Sequence, residues 1–85
     1  MTIRILYYSY LRDAVGHSEE EMVLPEGTQA GGAVDVLCGR YPKLSECRKN
    51  ILLAIGVEWI KQDAPLKDGD TLLLMPPVQG GASKG

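Results

Sequence analysis

The chain has 85 residues, of which 45% are hydrophobic, and it carries a formal net charge of −2. A domain of this size buries only about 60% of the surface that its unfolded chain exposes, so we expect one domain with a thin core and no deep substrate cavity. Basic residues are scattered among acidic ones, which argues against nucleic acid as a partner. No apolar stretch has the length of a membrane span or a secretory signal, so we expect no membrane association and a cytoplasmic location.

The cysteines and the histidine predict neither a metal site nor a redox centre. Cys38 and Cys47 are too few and too irregularly spaced for a zinc site or a disulfide framework. In a reducing compartment we expect both to be small buried apolar residues. A redox or sulfur-relay role for Cys47 has no support from a nearby histidine or a CxxC spacing. His17, the one histidine, is expected to be an exposed loop residue without a carboxylate partner.

The chain opens with a predicted strand and a short helix. Residues 2–8, TIRILYY, are β-branched and aromatic, which is typical of a strand. Its inward face would consist of Ile3, Ile5 and Tyr7. A short helix or turn is predicted in residues 9–16, SYLRDAVG, with Ser9 as its N-cap and Gly16 at its end.

A second strand is predicted in residues 19–25, EEEMVLP, where Pro25 and Gly27 would end it. Alternation places Met22 and Leu24 on one face of this strand and Val23 on the other. The acidic run at residues 19–21 is expected to be its solvated start.

The best helix candidate runs from Thr28 to Tyr41, and Pro42 would end it. Its apolar stripe, spaced i, i+4, i+7, i+8 and i+11, consists of Ala30, Val34, Leu37, Cys38 and Tyr41. Gly31 and Gly32 fit poorly in the first turn, because each costs about 1 kcal/mol relative to alanine. They indicate either close packing or a frayed helix start.

Three further strands are predicted in the C-terminal half, in residues 51–56 (ILLAIG), 57–61 (VEWIK) and 71–75 (TLLLM). The first two would form a hairpin that turns after Gly56. Between the hairpin and the last strand, the composition of residues 65–70, PLKDGD, predicts a turn.

The order of these elements predicts the fold. The unbroken apolar run of residues 71–75 favours a central strand that is buried on both faces, and Pro76 and Pro77 would end it. Two strands, a crossover helix and further strands form the ubiquitin-like β-grasp plan. We therefore predict an α+β domain over residues 1–78, in which a mixed sheet carries one main helix and the first and last strands are adjacent. A flexible C-terminal tail is expected over residues 79–85.

The C-terminal segment, PLKDGDTLLLMPPVQGG at residues 65–81, resembles the end of molybdopterin synthase small subunits. In that family a DGD turn leads to a strand and then to PPVxGG. Residues 11–16, LRDAVG, resemble the family's first loop, and residues 24–28, LPEGT, resemble its helix entry. The spacing of these landmarks also fits, so the resemblance covers residues 1–81.

The resemblance implies a sulfur carrier subunit rather than an enzyme. In such proteins an E1-like adenylyltransferase uses ATP to adenylate the C-terminal glycine carboxylate, which is then converted to a thiocarboxylate. The sulfur is delivered to cyclic pyranopterin monophosphate inside the large subunit, in the synthesis of the molybdenum cofactor. The implied partners are thus the large subunit and the E1-like enzyme, and the carrier itself would bind no cofactor and no metal.

Carried over to this sequence, the resemblance assigns the thiocarboxylate to Gly81. Gly80 would thread the tail into the partner together with Val78, because glycine lacks a Cβ and fits a narrow channel. Pro76 and Pro77 would stiffen the base of the tail and lower its ordering cost on docking.

The sequence departs from the family after Gly81, because residues 82–85, ASKG, follow it. The carbonyl of Gly81 is therefore an amide and has no free carboxylate to adenylate. The extra residues are vector-derived, or a peptidase removes them, or they mark a relative that has lost the activity. Gly85 as the acceptor is less attractive, since Lys84 would then have to enter the channel.

Two aromatic residues are candidate partner contacts. A small sheet with a helix on one side leaves its other face open, and aromatic side chains there often anchor partners. Trp59 and Tyr8 are the candidates in this sequence. For Trp59, packing in the core or the hairpin is the alternative.

Two other functions stay open at this point. One is a sulfur carrier for another pathway, such as the synthesis of thiamine, thiolated tRNA or cysteine. The other is a ubiquitin-like modifier or binding module. A stand-alone enzyme is not predicted, because the sequence holds no His, Cys and carboxylate constellation and no phosphate-binding glycine loop.

Overall fold

The computed structural model describes residues 1–77. Its elements in chain order are β1 (Thr2–Tyr7), α1 (Tyr10–Val15), β2 (Glu19–Val23), α2 (Ala30–Arg40), α3 (Pro42–Ser45), a 3-10 turn (Arg48–Asn50), β3 (Leu52–Ile55), β4 (Glu58–Ile60) and β5 (Thr71–Met75). The five strands form one sheet in the order β2-β1-β5-β3-β4. β1 and β5 pair in parallel, and the other neighbours are antiparallel. The predicted α+β, β-grasp fold with adjacent first and last strands is confirmed.

Part of the sequence interpretation lies beyond these residues. Val78, Gly80 and Gly81 are outside the described range, as is the domain boundary placed between residues 78 and 79. Within residues 1–77, no helix combines the length and the apolar character that crossing a membrane requires.

One hydrophobic core joins the inner face of the sheet to α2. The predicted inward residues of β1 and the Met22 and Leu24 pair are buried, whereas Val23 is 79% exposed. In the helix stripe, Ala30, Val34 and Leu37 are fully buried. The two cysteines pack against this core only half-buried and as free thiols, so the prediction that they are buried is only partly right.

The prediction that β5 is buried on both faces is wrong, although its central position is confirmed. Leu72 and Leu74 are fully buried, but Leu73 and Met75 are half-buried. The reason is that the helices cover one face of the sheet and leave the other open. An unbroken apolar run therefore indicates a central strand here without indicating a second covering layer.

Close packing explains Gly31. Its N–H donates to the backbone carbonyl of Gln62 at 2.7 Å. A Cβ on Gly31 would lie 2.7 Å from Gln62 Oε1 and 3.0 Å from the Gln62 carbonyl oxygen. The side-chain oxygen is itself fixed, because Arg48 Nη2 donates to it at 2.7 Å. Of the two readings that the sequence left open, close packing is the correct one for this residue.

Replacing Gly31 with alanine should therefore destabilise the fold by about 1–3 kcal/mol, the usual cost of overpacking. Gly39 in the same helix is the matched control, since nothing lies within 4 Å of the Cβ it would gain. Gly39→Ala should instead stabilise by up to about 1 kcal/mol through helix propensity. Urea unfolding of both variants measures the difference, and shifts of the same sign would contradict the packing argument.

Candidate functional site

The base of the tail lies at the centre of the sheet. β5 is flanked by β1 and β3, and its last residue, Met75, pairs with Leu52. Because β1 runs parallel to β5, the two strands end on the same side of the molecule. The N–H of Tyr8 still donates to the Leu74 carbonyl at 3.1 Å, one residue beyond the end of β1. The half-buried Pro76 and Pro77, called here the tail root, follow directly.

The DGD turn that precedes β5 holds the two central strands in register. Asp68 Oδ1 accepts a hydrogen bond from the Thr2 N–H at 2.7 Å, and the Gly69 N–H donates to the Thr2 carbonyl at 2.8 Å. Asp70 Oδ2 accepts from the Lys67 N–H at 2.8 Å. Gly69 has a φ of 88°, a left-handed conformation that favours glycine. This motif therefore has a structural role at the end of β5 opposite to the tail.

The uncovered side of the sheet is apolar around β5, whereas Arg4, Glu19 and Glu21 make it charged toward its β2 edge. The register of the paired strands and the alternation along each strand place seven apolar residues around β5 on this side. We call this surface the open face; it consists of Leu6, Tyr8, Leu52, Ala54, Trp59, Leu73 and Met75. Trp59 is 67% exposed and Tyr8 is 42% exposed. Apolar side chains clustered on one face, next to the tail root, are typical of a protein-binding surface.

The structure puts the two aromatic candidates on the same face but apart. Trp59 pairs with Ala54, which pairs in turn with Leu73, so the indole lies level with the middle of β5. Tyr8 lies beside the tail root. Of the alternatives from the sequence, packing of Trp59 in the core is wrong, because its side chain is 67% exposed.

A polar cluster that the sequence did not reveal lies on the helix side. Glu20 of β2 is only 16% exposed, so the solvated strand start predicted for residues 19–21 is wrong at this position. Glu20 Oε2 accepts from Tyr7 at 2.6 Å and Tyr41 at 2.7 Å. Arg40 donates to Oε1 at 3.1 Å. His17 Nε2 lies 3.0 Å from Oε2, so the expectation that His17 has no carboxylate partner is also wrong.

This cluster is built for stability rather than catalysis. Burial raises the pKa of Glu20, but the hydrogen bonds from Tyr7, His17 and Tyr41 outweigh that effect and leave the pKa below its ordinary value. Burial and the adjacent carboxylate raise the pKa of both tyrosines, so their hydroxyls stay protonated. Four donors surround the carboxylate, three of them at Oε2, and the lowered pKa makes it a weaker base. Within residues 1–77, no group of His, Cys, Asp and Glu side chains is placed to hold a metal ion.

The ThiS family matches residues 5–81, a range that includes both tail glycines. The chain belongs to this family. A relative from Chlamydomonas reinhardtii, named molybdopterin synthase sulfur carrier subunit, is 30% identical over 83 residues, covering 95% of this chain and 100% of that protein. One of the same name from Mycobacterium tuberculosis is 30% identical over 80 residues, covering 93% and 96%. The resemblance to molybdopterin synthase small subunits is confirmed.

Solved structures agree on the fold of this ThiS-family chain. A putative molybdopterin converting factor subunit 1 from Pyrococcus furiosus superimposes with a TM-score of 0.83 at 27% identity, covering 92% of this chain and 99% of that one. A complex of subunits 1 and 2 of molybdopterin-converting factor from Helicobacter pylori matches with a TM-score of 0.67 over 92% and 96% of the chains. At 19% identity, that likeness shows the fold alone.

The Glu20 cluster predicts how the stability of this ThiS-family domain depends on pH. Because the folded-state pKa of Glu20 is lowered, its stabilisation is present above the unfolded pKa near 4.5 and is lost as pH falls through the folded value. Glu20→Gln should destabilise by about 1–3 kcal/mol at pH 7, and the difference from the unchanged chain should shrink in acid. Thermal unfolding across the pH range tests this. Glu21→Gln, on the same strand but 65% exposed, is the control and should have little effect.

Proposed function

We propose that this chain is the sulfur carrier subunit of molybdopterin synthase. In this role a thiocarboxylate on Gly81 donates sulfur to cyclic pyranopterin monophosphate, bound by the large subunit, in molybdenum cofactor synthesis. The observation that carries the proposal is the family match over residues 5–81, which joins the described domain to the Gly-Gly pair. The names of relatives that align over nearly the whole chain support it.

The chemistry requires a reactive carbonyl at the end of an extended segment of chain. It requires no catalytic side chain on the carrier. A free carboxylate is a poor electrophile, and adenylation gives it a leaving group that a sulfur donor displaces. Gly81 follows Pro77 by four residues, which span at most about 14 Å when extended. A tail of that reach delivers its end into another protein while the domain stays outside. ATP would be bound by the activating enzyme and not by this chain.

Residues 82–85 define a step that must precede activation. While Ala82 follows Gly81, the Gly81 carbonyl belongs to a resonance-stabilised amide and offers no carboxylate oxygen to ATP. Hydrolysis of the bond between Gly81 and Ala82 would release the carboxylate. We therefore include trimming after Gly81 in the proposal.

The proposed partners are the large subunit and an E1-like adenylyltransferase, with the open face as the surface that docks. This face is apolar at its centre and continues into the tail root, so one docked protein can cover the face and receive the tail. Since the activating enzyme consumes ATP and the proposed synthesis is intracellular, the cytoplasm is the proposed location. Small archaeal modifier protein 1 from Haloferax volcanii shares the fold at 22% identity and a TM-score of 0.82, a likeness that shows the fold alone.

The tail chemistry is tested with two chain lengths. With the E1-like enzyme, ATP and a sulfur donor, a chain that ends at Gly81 should gain the mass of sulfur replacing oxygen, and the 85-residue chain should not. Intact mass spectrometry reads both. Sulfur on Gly85 of the full chain, or none on the shorter chain with competent enzymes, would reject Gly81 as the carrier residue.

A bulky side chain at Gly80 should block sulfur transfer and leave the fold intact, because a channel made for glycine would meet a Cβ. The variant is Gly80→Leu in the chain that ends at Gly81. Gln79→Leu adds a side chain of the same size at a neighbouring position that already has a Cβ, and should retain transfer. Pterin product formation is the measurement, with circular dichroism as the check on folding.

Substitutions in the β3–β4 hairpin test whether the large subunit docks on the open face. Trp59→Ala should weaken binding by about tenfold or more, because an exposed tryptophan on an apolar face is a typical hot spot. Val57→Ala is the control, since Val57 is 100% exposed at the tip of the same hairpin but lies outside the open face. Isothermal titration with the large subunit measures both affinities. Equal effects of the two substitutions would argue against the open face as the docking surface.

A further inference from the structure

A strained turn lies beside the tail root. Ser9, between β1 and α1, has φ 56° and ψ −137°, and it is the one residue other than glycine with a positive φ in the part of the chain described. A β-carbon makes this conformation unfavourable. The Ser9 side chain forms no capping hydrogen bond, so its predicted capping role is wrong and this side chain does not compensate for the strain. Strained backbone of this kind concentrates at binding and catalytic sites.

The strained turn orients an arginine. The Ser9 carbonyl accepts the Arg12 N–H at 3.1 Å and Arg12 Nε at 3.4 Å. Within residues 1–77, neither terminal nitrogen of the guanidinium has a hydrogen-bond partner. The other three arginines pair with carboxylates: Arg4 with Glu19, Arg40 with Glu20, and Arg48 with Asp35. Within residues 1–77, Arg12 has no such pair.

The guanidinium borders a pocket at the edge of the open face. The pocket has a volume of about 220 Å³, and its lining consists of Leu6, Tyr7, Tyr8, Arg12, Ser18 and Glu19. Leu6 and Tyr8 belong to the open face, so the pocket is continuous with the proposed docking surface. The carboxylate of Glu19 is held by Arg4 at 3.2 Å, which limits its repulsion of an incoming anion.

The position of Arg12 decides which anion it can meet. With the tail extended into a partner, the reacting carbonyl of Gly81 lies up to about 14 Å beyond Pro77. The turn at Ser9 borders the tail root instead, through the bond from the Tyr8 N–H to the Leu74 carbonyl. A protein docked on the open face would therefore present its own surface, and not the pterin substrate, to Arg12. On a protein surface, the group that a planar guanidinium binds best is a carboxylate, through a bidentate pair of hydrogen bonds.

We propose that Arg12 binds a carboxylate side chain of the large subunit, at the rim of the open face and beside the tail root. This inference rests on the proposed function and adds a residue that fixes how the partner is seated. An apolar face alone permits sliding, whereas a directional ion pair next to the tail fixes the register in which the tail enters.

The test is the affinity of the large subunit for variants of the chain that ends at Gly81, with the 85-residue chain measured alongside. Arg12→Ala should bind about tenfold more weakly. Arg12→Lys keeps the charge but loses the two-pronged geometry and should lie between the two. Lys67→Ala removes an exposed cation at the far end of β5 and should change affinity less than twofold. Unfolding temperatures of all variants should stay close to that of the unchanged chain, since the one hydrogen bond of the Arg12 side chain within residues 1–77 is the long bond from Nε to the Ser9 carbonyl.

A charge exchange identifies the partner residue. Arg12→Glu should bind more weakly than Arg12→Ala, and replacement of one acidic residue of the large subunit with arginine should restore its binding. Failure of every such replacement to restore binding would overturn the direct contact.

Other results distinguish failure of the Arg12 contact from failure of the proposed function. If Arg12 variants bind normally while Trp59→Ala binds weakly, the Arg12 contact is wrong and the docking surface stands. If Arg12 variants lose only activation by the E1-like enzyme, the carboxylate belongs to that enzyme and the inference is overturned. If the unchanged chain does not bind the large subunit in either length, the proposed function fails and the inference fails with it.

Discussion

Parallel pairing of the first strand with the last, at the centre of the sheet, is the constraint on which the rest of the structure depends. The turn around Gly69 sets this pairing, because Asp68 binds the backbone of Thr2 on one strand while leading into the other. Once the register is set, Leu72 and Leu74 enter the core, and Leu73 and Met75 turn to the open face. The tail then follows the central strand, which is paired on both sides, so its base is fixed relative to the surface that a partner would cover.

The exposed apolar surface has a clear physical origin. A chain of this length forms one sheet and one layer of helices, which leaves the opposite face without cover. Soluble monomers rarely expose a contiguous apolar patch unless it binds something. In the proposed complex the large subunit completes the missing layer. The domain would thus gain a docking surface as a consequence of its small size, and the Glu20 cluster lies on the helix side, where it would not interfere with docking.

Local signals in the sequence were sufficient for the element order, the core stripe of α2 and the central place of β5. They failed where the deciding partner lies far along the chain. Glu20 looked solvated because Tyr41 and Arg40, which bind it, are distant in sequence. Only the docking of Gln62 distinguishes close packing from a frayed helix start at Gly31. The strain at Ser9 has no signature in residue type, because a serine before a short helix usually acts as a cap. The tail assignment rests on family resemblance.

The central place of β5 has a consequence for how the protein is made. Without β5 the sheet separates into two hairpin-like halves, β2 with β1 and β3 with β4, because no other strand within residues 1–77 joins them. Neither half alone buries enough apolar surface to be stable in water. During synthesis the domain can close only after its last strand has left the ribosome, when the residues of the tail are the next to emerge. A chain cut short before β5 would fail to fold and would be open to proteolysis, so incomplete chains would not persist to occupy the binding surface of the proposed partner.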